Sequence, residues 1–215
     1  MSNHVVVRTL LLLLMACSSA GVLADDSVTE RFRRIATNGQ VLAIGPQVIT
    51  LVGEHACTRD LQTGLVWEAK TADGGLRDGH WTYWPHQRSW SQPGVLGYHD
   101  ASGGKCLRER MEEGSCNTEA YVKAVNASGL CGRSDWRLPS VDELLGIAVV
   151  YAGLTATLRE QVFPQIVPGW YWSATAEVGG VPFPRVVLLP PGASPLVFDG
   201  TYSLLLVSGA APGPQ

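Results

Sequence analysis

Histidines and carboxylates that could bind a metal ion or transfer protons are concentrated between residues 78 and 100. They are His80, His86 and His99, together with Asp78 and Asp100. Imidazole and carboxylate groups are common zinc ligands and general acids or bases. Their spacing matches no zinc-binding or two-histidine motif, and loop histidines are ordinarily solvated. We therefore predict no metal site and no cofactor.

Aromatic side chains in the same region suggest a different chemistry. They are Trp81, Tyr83, Trp84 and Trp90. Aromatic faces stack on sugar rings and anchor protein interfaces, while a polar tip remains free to form a hydrogen bond. The same rings could instead pack in the core. We take these four residues as candidate ligand contacts, with core packing as the alternative.

Nucleophiles and acids elsewhere do not form a catalytic set. Ser140 and Ser173 have no evident histidine partner, which an activated serine requires. Glu143 could act as an acid, but it occupies the third helical position after Ser140, where a capping box places a glutamate. We therefore expect a protein that is not an enzyme.

Other conspicuous residues are predicted to be structural. Asp60 and Thr63 are expected to close a turn through side-chain to backbone hydrogen bonds, with Gly64 at positive φ. The remaining members of this set contribute to the core, to a carboxylate pair or to the start of a helix. They are Trp67, Trp136, Arg137, Pro139 and Trp172, besides Ser140 and Glu143.

Four cysteines follow the N-terminal segment, and they permit three pairings. Cys106 and Cys116 flank a short charged segment, which favours a local disulfide and leaves Cys57 to pair with Cys131. A zinc site is the rival interpretation, but paired C-x-x-C knuckles are absent. Two disulfides are typical of an oxidising compartment.

The first 24 residues are predicted to be a secretory signal. A basic Arg8 precedes the apolar run Leu10–Met15, and Val22-Leu23-Ala24 offers a cleavage site. The alternative is cleavage before Cys17, whose acylation would place the protein on a membrane. Without Arg8 the chain has 15 basic and 19 acidic residues, a net charge of −4, which argues against nucleic acid. We expect a periplasmic, outer-membrane-associated or extracellular protein.

Local patterns predict an α+β fold with antiparallel strands, two helices and a long irregular loop from about residue 70 to 115. A hairpin is expected over residues 51–67, after a lead-in over 25–50 with a turn at 37–40. Helices are expected over 117–127 and after Ser140, the second with Val141, Leu144, Leu145, Ala148 and Val149 buried. Strands follow at 170–175, 185–189, 195–198 and 203–207. One domain spans 51–208, and residues 209–215 form a disordered tail.

Several segments together resemble one known family. The motif D-x-x-T-G-L-x-W begins at Asp60, W-R-L-P-S-x-x-E-L at Trp136 and Y-W-S at Tyr171. With residues 70–78, 116–122 and 129–132, they resemble the Lcl C-terminal domain family of secreted and surface bacterial proteins. The resemblance extends over about residues 31–207.

This resemblance implies a C-type-lectin-like fold and binding of a surface glycan or an envelope protein, as in an adhesin. The family's namesake binds sulfated glycans, but here the apolar segment Leu204–Val207 stands where the family tends to carry arginines, and no collagen-like repeat is present. The Trp136–Glu143 segment is also similar to an element of formylglycine-generating enzymes, so a periplasmic enzyme of that type is the alternative. A structural envelope protein without a small ligand is a third. The oligomeric state is left open.

Overall fold

The computed structural model describes residues 25–45, 54–83, 117–176, 184–190 and 201–209. Within these residues the fold is α+β, with an antiparallel sheet of six strands, a second sheet of two strands and four α-helices. The helices are α1 (Asp25–Arg31), α2 (Thr118–Ala127), α3 (Val141–Gly153) and α4 (Ala156–Val162). The strands are β1 (Phe32–Ala36), β2 (Val41–Leu42), β3 (His55–Asp60), β4 (Val66–Glu68), β5 (Trp136–Arg137), β6 (Gly169–Ala176), β7 (Pro184–Leu189) and β8 (Val207–Ser208).

The larger sheet has the strand order β2-β1-β3-β4-β8-β5. The C-terminal strand β8 therefore lies between β4 and β5, and it closes the sheet next to the strand that begins the W-R-L-P-S segment. Both outer strands, β2 and β5, are two residues long. Short edge strands leave few unpaired backbone groups for unwanted pairing with other chains.

The two predicted turns of the N-terminal half are confirmed. Gly39 adopts a φ of +85° between β1 and β2. In the β3–β4 hairpin, Asp60 accepts a hydrogen bond from the Gln62 amide at 2.9 Å, and Thr63 accepts from the Leu65 amide at 3.3 Å. Gly64 has a φ of +76°. These contacts show why a polar, glycine-containing segment joins the two strands.

The helices over 117–127 and after Ser140 are also confirmed. Asn117 caps α2 by accepting from the Ala120 amide, and Ser140 and Glu143 form the capping box of α3. The prediction of only two helices was wrong, because α1 and α4 are present as well. Both are seven residues long, so their apolar period is too short to be distinctive.

The predicted buried stripe of α3 needs a correction. Leu144 and Ala148 are buried, but Leu145 is 47% and Val149 is 69% exposed. Ile147, Val150 and Tyr151 are buried in their place. Since almost every residue of this helix is apolar, its sequence does not reveal which side faces the core.

The strands near the C-terminus agree only in part with expectation. The strands at 170–175 and 185–189 are confirmed as β6 and β7. The strand at 203–207 is reduced to β8, although Tyr202 and Ser203 form isolated bridges with Tyr83 and Tyr171. The predicted strand at 195–198 and residues 210–215 of the predicted tail lie outside the described residues. Disorder from residue 209 was wrong for Gly209 itself, because its amide donates to the Asp135 carboxylate at 3.1 Å.

Two packed clusters form the core. One joins α3 and α4 to the sheets around Trp67 and Tyr171. The other contains Tyr83, Tyr121, Trp136 and Trp172 and encloses Cys57. No helix of the described residues is long and apolar enough to cross a membrane.

A disulfide links Cys57 in β3 to Cys131 after α2, with their Cα atoms 6.6 Å apart. The Cys57–Cys131 disulfide is one of the two that the sequence predicts. Cys106 and Cys116 lie outside the described residues, so the second predicted disulfide stays a prediction.

Candidate functional site

An open groove of about 470 Å³ lies where α2, β5, α3 and β6 meet. The first turn of α2 forms one wall, and the segment from β5 to the cap of α3 forms another. The end of β6 closes the third side. The lining residues are Thr118, Glu119, Val122, Arg137, Leu138, Ser140, Ala174 and Thr175.

Backbone hydrogen bonds tie these walls together. The Ala174 amide donates to the carbonyl of Pro139 at 2.7 Å. The Val141 amide donates to the Thr175 hydroxyl at 2.9 Å, which attaches the start of α3 to the end of β6. On the opposite side, the backbone of buried Trp136 is held by both amide atoms of the Asn126 side chain, at 2.8 and 2.9 Å. The groove is therefore preformed by the fold.

An ion pair stands at the wall between β5 and α3. Arg137 Nη1 and Nη2 donate to the two carboxylate oxygens of Glu143 at 2.9 and 2.7 Å. Burial alone would raise the pKa of Glu143, but hydrogen bonds from Arg137 and from the Ser140 amide, with the charge of Arg137, outweigh it and lower the pKa. The carboxylate is therefore ionised and already saturated with donors. It is suited to fixing Arg137 rather than to proton transfer.

The groove combines two kinds of surface. Val122, Leu138 and Ala174 supply apolar contact area. The hydroxyls of Ser140 and Thr175 each accept from a backbone amide. The Ser140 hydroxyl also bonds to the Glu143 carboxylate, whereas the Thr175 hydroxyl keeps its hydrogen for donation to a ligand. Arg137 uses four of its five N–H groups within the described residues, and its side chain is 27% exposed. Few polar groups on an otherwise apolar concave surface are typical of binding sites for small ligands.

Comparison with known proteins places these residues in a family. The model of the Lcl C-terminal domain matches residues 56–187, more than half of the chain. The chain belongs to the Lcl C-terminal domain family. All eight lining residues of the groove fall within the matched region. No curated protein and no solved structure matches the chain.

In this Lcl C-terminal domain two of the four aromatic candidates, Trp81 and Tyr83, fall in the described part of the chain, and neither is among the residues that line the groove. Tyr83 is fully buried and packs on Tyr121 with ring centroids 4.8 Å apart, so its ring is not available to a ligand. Trp81 is partly buried and donates from Nε1 to the Gly75 carbonyl at 2.8 Å. Trp84 and Trp90 lie outside the described residues. Among the described residues that line the groove, none is aromatic.

The predicted structural motif residues occupy the places expected of them. Trp67, Trp136 and Trp172 are buried, with exposures of 1–2%. Trp136 Nε1 donates to the Leu130 carbonyl at 3.1 Å, and Trp172 Nε1 donates to the Tyr83 carbonyl at 2.8 Å. Their role in this Lcl C-terminal domain is to hold the strands and loops that carry the groove.

Asp78 and His80 are in direct contact and are the two members of the predicted cluster that fall within the described residues. Asp78 accepts from the His80 amide and ring nitrogen, both at 2.9 Å, and from the Gly74 amide at 2.7 Å. His86, His99 and Asp100 lie outside the described residues. Among the residues that are described, no three His, Cys, Asp or Glu side chains converge as metal ligands would.

A buried ion pair was not expected from the sequence. Lys70 Nζ lies 3.2 Å from a carboxylate oxygen of Glu68 and 2.7 Å from the Tyr121 hydroxyl, and all three residues are buried. The Tyr121 hydroxyl also donates to Glu68, whose other oxygen accepts from the Leu206 amide at 3.1 Å. Burial lowers the pKa of Lys70, an effect that the charge of Glu68 opposes. The cluster joins β4, α2 and the C-terminal segment.

Proposed function

We propose that this protein is an exported, non-catalytic binding domain that recognises a glycan in the groove between α2, β5, α3 and β6. The observation that supports this most directly is the composition of the groove. It joins apolar side chains to hydroxyl and guanidinium donors held by the backbone. Its volume of about 470 Å³ falls in the usual range for small-ligand sites, about 300 to 1,000 Å³.

Sugar rings match this surface chemically. Their C–H faces can pack on Val122, Leu138 and Ala174, and their hydroxyls can pair with the Arg137 guanidinium and the Thr175 hydroxyl. The net charge of −4 expected for the chain without its first 24 residues disfavours a polyanionic ligand. The proposed ligand is therefore a neutral or weakly charged surface glycan rather than a sulfated one.

Export is part of the proposal. Residues 1–24 carry the predicted signal, and the Cys57–Cys131 disulfide suits an oxidising compartment such as the periplasm or the cell exterior. Attachment to a membrane would follow only if Cys17 is acylated. A C-type-lectin-like fold is proposed as well, supported by the α+β architecture of the described residues and by the family to which the chain belongs.

Glycan-array binding of the protein starting at Asp25, followed by titration calorimetry with the best glycan, tests the proposal. Ala174 is exposed in the groove, so Ala174→Trp should fill the groove and weaken binding at least about tenfold. Ala127→Trp is the matched control, because Ala127 is exposed at the opposite end of α2. That variant should bind as the wild type does.

Two outcomes would contradict the proposal. If no glycan binds, and an envelope protein is retained by the wild type but not by Ala174→Trp, the groove binds protein instead. If both tryptophan variants bind a glycan equally well, the glycan site lies elsewhere on the domain.

A further inference from the structure

Among the described residues, helix α3 carries an apolar face that is exposed. Leu145 and Val149 are 47% and 69% exposed, although both are large aliphatic side chains. Gly146 and Ala152 are exposed on the same side of the helix. Burial of such a face against another apolar surface would be favourable, because it removes apolar area from water.

The spacing of this face is that of a coiled-coil seam. Asp142, Leu145, Val149 and Ala152 are exposed and are separated by three, four and three residues. Side chains with this alternation form a narrow stripe that packs against a second helix at a shallow crossing angle. Gly146 leaves open space beside the stripe, with no atom within 4 Å of a Cβ placed there. A second helix could therefore approach closely.

The positions of the stripe are spaced symmetrically about its middle, which suits packing against a second copy of the same helix. Positions 142 and 152, like positions 145 and 149, are equidistant from residue 147. A second copy of α3 running antiparallel would therefore place Leu145 against the partner's Val149, and Val149 against the partner's Leu145. A two-fold axis requires this reciprocal matching of one surface with itself.

Charge at the two ends of α3 agrees with the antiparallel direction. Asp142 lies in the first turn and forms no ion pair within the described residues. At the other end, Arg159 donates from Nε to the Tyr151 carbonyl at 2.9 Å and from Nη2 to the Ala152 carbonyl at 3.0 Å. In an antiparallel pair, Asp142 of each copy would lie near the C-terminal end of the other copy's α3. Arg159 of that other copy lies at the same end, so the two opposite charges would be close.

We propose that this face is a self-association surface through which two copies of the protein pair by antiparallel packing of α3. The 13 residues of α3 span about 20 Å, so the interface is much smaller than the roughly 800 Å² per partner of a stable complex. The dimer is therefore weak and forms at high local concentration, with a dissociation constant above about 1 µM.

Sedimentation equilibrium of the protein starting at Asp25, from about 10 µM to about 1 mM, measures the association. Val149→Glu should raise the dissociation constant at least about tenfold, and Asp142→Lys about two- to fivefold. Val41→Glu is the control, because Val41 is 60% exposed on β2, and it should leave association unchanged. Circular dichroism confirms that each variant is folded.

Cysteine cross-linking tests the direction of packing. Oxidation of an equimolar mixture of Leu145→Cys and Val149→Cys proteins should give a mixed dimer at least about fivefold faster than either variant alone, because a disulfide requires Cα atoms within about 7 Å. The rate at which Val41→Cys forms a disulfide dimer gives the background rate from random collisions.

A wild-type protein that stays monomeric at about 1 mM overturns the proposal. So does an association that Val149→Glu leaves intact. Fastest cross-linking of Leu145→Cys with itself would indicate a parallel arrangement and would likewise contradict the antiparallel pair.

Discussion

Arg137 and Glu143 are joined by two parallel hydrogen bonds, with Nη1 2.9 Å and Nη2 2.7 Å from the two carboxylate oxygens. The same carboxylate accepts from the Ser140 amide at 2.7 Å. One side chain thus completes the capping box of α3 and orients the guanidinium at the wall of the groove. The start of the helix and the shape of the candidate site depend on each other through this contact.

Glu143→Gln should therefore reduce both stability and glycan binding. An amide retains one acceptor but loses the charge-assisted pair, and we expect a loss of about 1–3 kcal/mol in the free energy of unfolding by urea titration. Thr155→Ala is the matched control, since Thr155 caps α4 by accepting from the Leu158 amide, is not among the residues given for the groove, and its loss costs about 1 kcal/mol. Equal loss of glycan affinity in the two variants would show that Glu143 acts only through overall stability.

The Cys57–Cys131 disulfide should contribute strongly to stability. It closes a loop with a sequence separation of 74 residues, and restriction of the unfolded chain by such a loop corresponds to about 4 kcal/mol. We expect the double variant Cys57→Ala/Cys131→Ala to lose about that much in urea-induced unfolding without a reducing agent. Addition of a reducing agent should lower the free energy of unfolding of the wild type by more than it lowers that of the double variant. If the variant equals the wild type, this pairing is not the one formed.

Local signals in the sequence predicted the start of α3 and the turn between β3 and β4. The capping box and the turn closed by Asp60 and Thr63 depend on residues two or three positions apart, so they can be read from short segments. The family resemblance then indicated that the motif segments belong to one domain. It did not indicate that residues 118–122, 137–140 and 174–175 meet in space.

Contacts between distant segments could not be predicted in this way. Glu68, Lys70 and Tyr121 bind one another across more than 50 residues, and nothing in a lysine near a tryptophan indicates burial. The sequence predicts Tyr83 either as a ligand contact or as a core residue, and its burial against Tyr121, which supports the second, depends on the same non-local arrangement. For α3, whose residues are apolar on both faces, only the tertiary structure decides that Val149 is exposed.

Gly79 should tolerate no side chain, in contrast to Gly146. A Cβ at residue 79 would lie 2.3 Å from the carbonyl oxygen of Gln165, whereas a Cβ at residue 146 meets no atom within 4 Å. We expect Gly79→Ala to lower the free energy of unfolding by about 1–3 kcal/mol, because backbone must move to admit it. Gly146→Ala should raise it by about 0.5–1 kcal/mol, since alanine favours a helix. Thermal unfolding of both variants measures the difference, and equal effects would contradict the close approach at Gly79.

Replacement of only one partner of the Lys70–Glu68 ion pair should lower the free energy of unfolding strongly. Both side chains are at most 3% exposed, so Lys70→Met leaves a buried carboxylate without its cation. Loss of one partner of a buried pair costs about 3–5 kcal/mol. The double variant Lys70→Met/Glu68→Gln removes the unpaired charge and should recover part of this loss in urea titrations. If the double variant loses more free energy of unfolding than the two single variants lose together, this account is contradicted.

His55 should make the domain sensitive to acid. It is 4% exposed, and its Nε2 lies 2.9 Å from the Cys57 carbonyl, which fixes the proton of the neutral ring on that nitrogen. Burial, followed by the positive charge of Arg34, lowers the pKa of His55 to about 3, below about 6.5 in the unfolded chain. Between these values the unfolded chain binds more protons, so stability falls as the pH is lowered from about 6.5 towards 3.

The loss attributable to His55 is at most about 5 kcal/mol over that range. Urea titrations at several pH values should show a steep decline for the wild type and a shallower one for His55→Gln, whose side chain does not titrate. His80→Gln is the matched control, because the His80 side chain is 66% exposed and its removal should leave the decline steep. If His55→Gln loses stability with acid as steeply as the wild type, the buried histidine is not the group that carries the acid sensitivity.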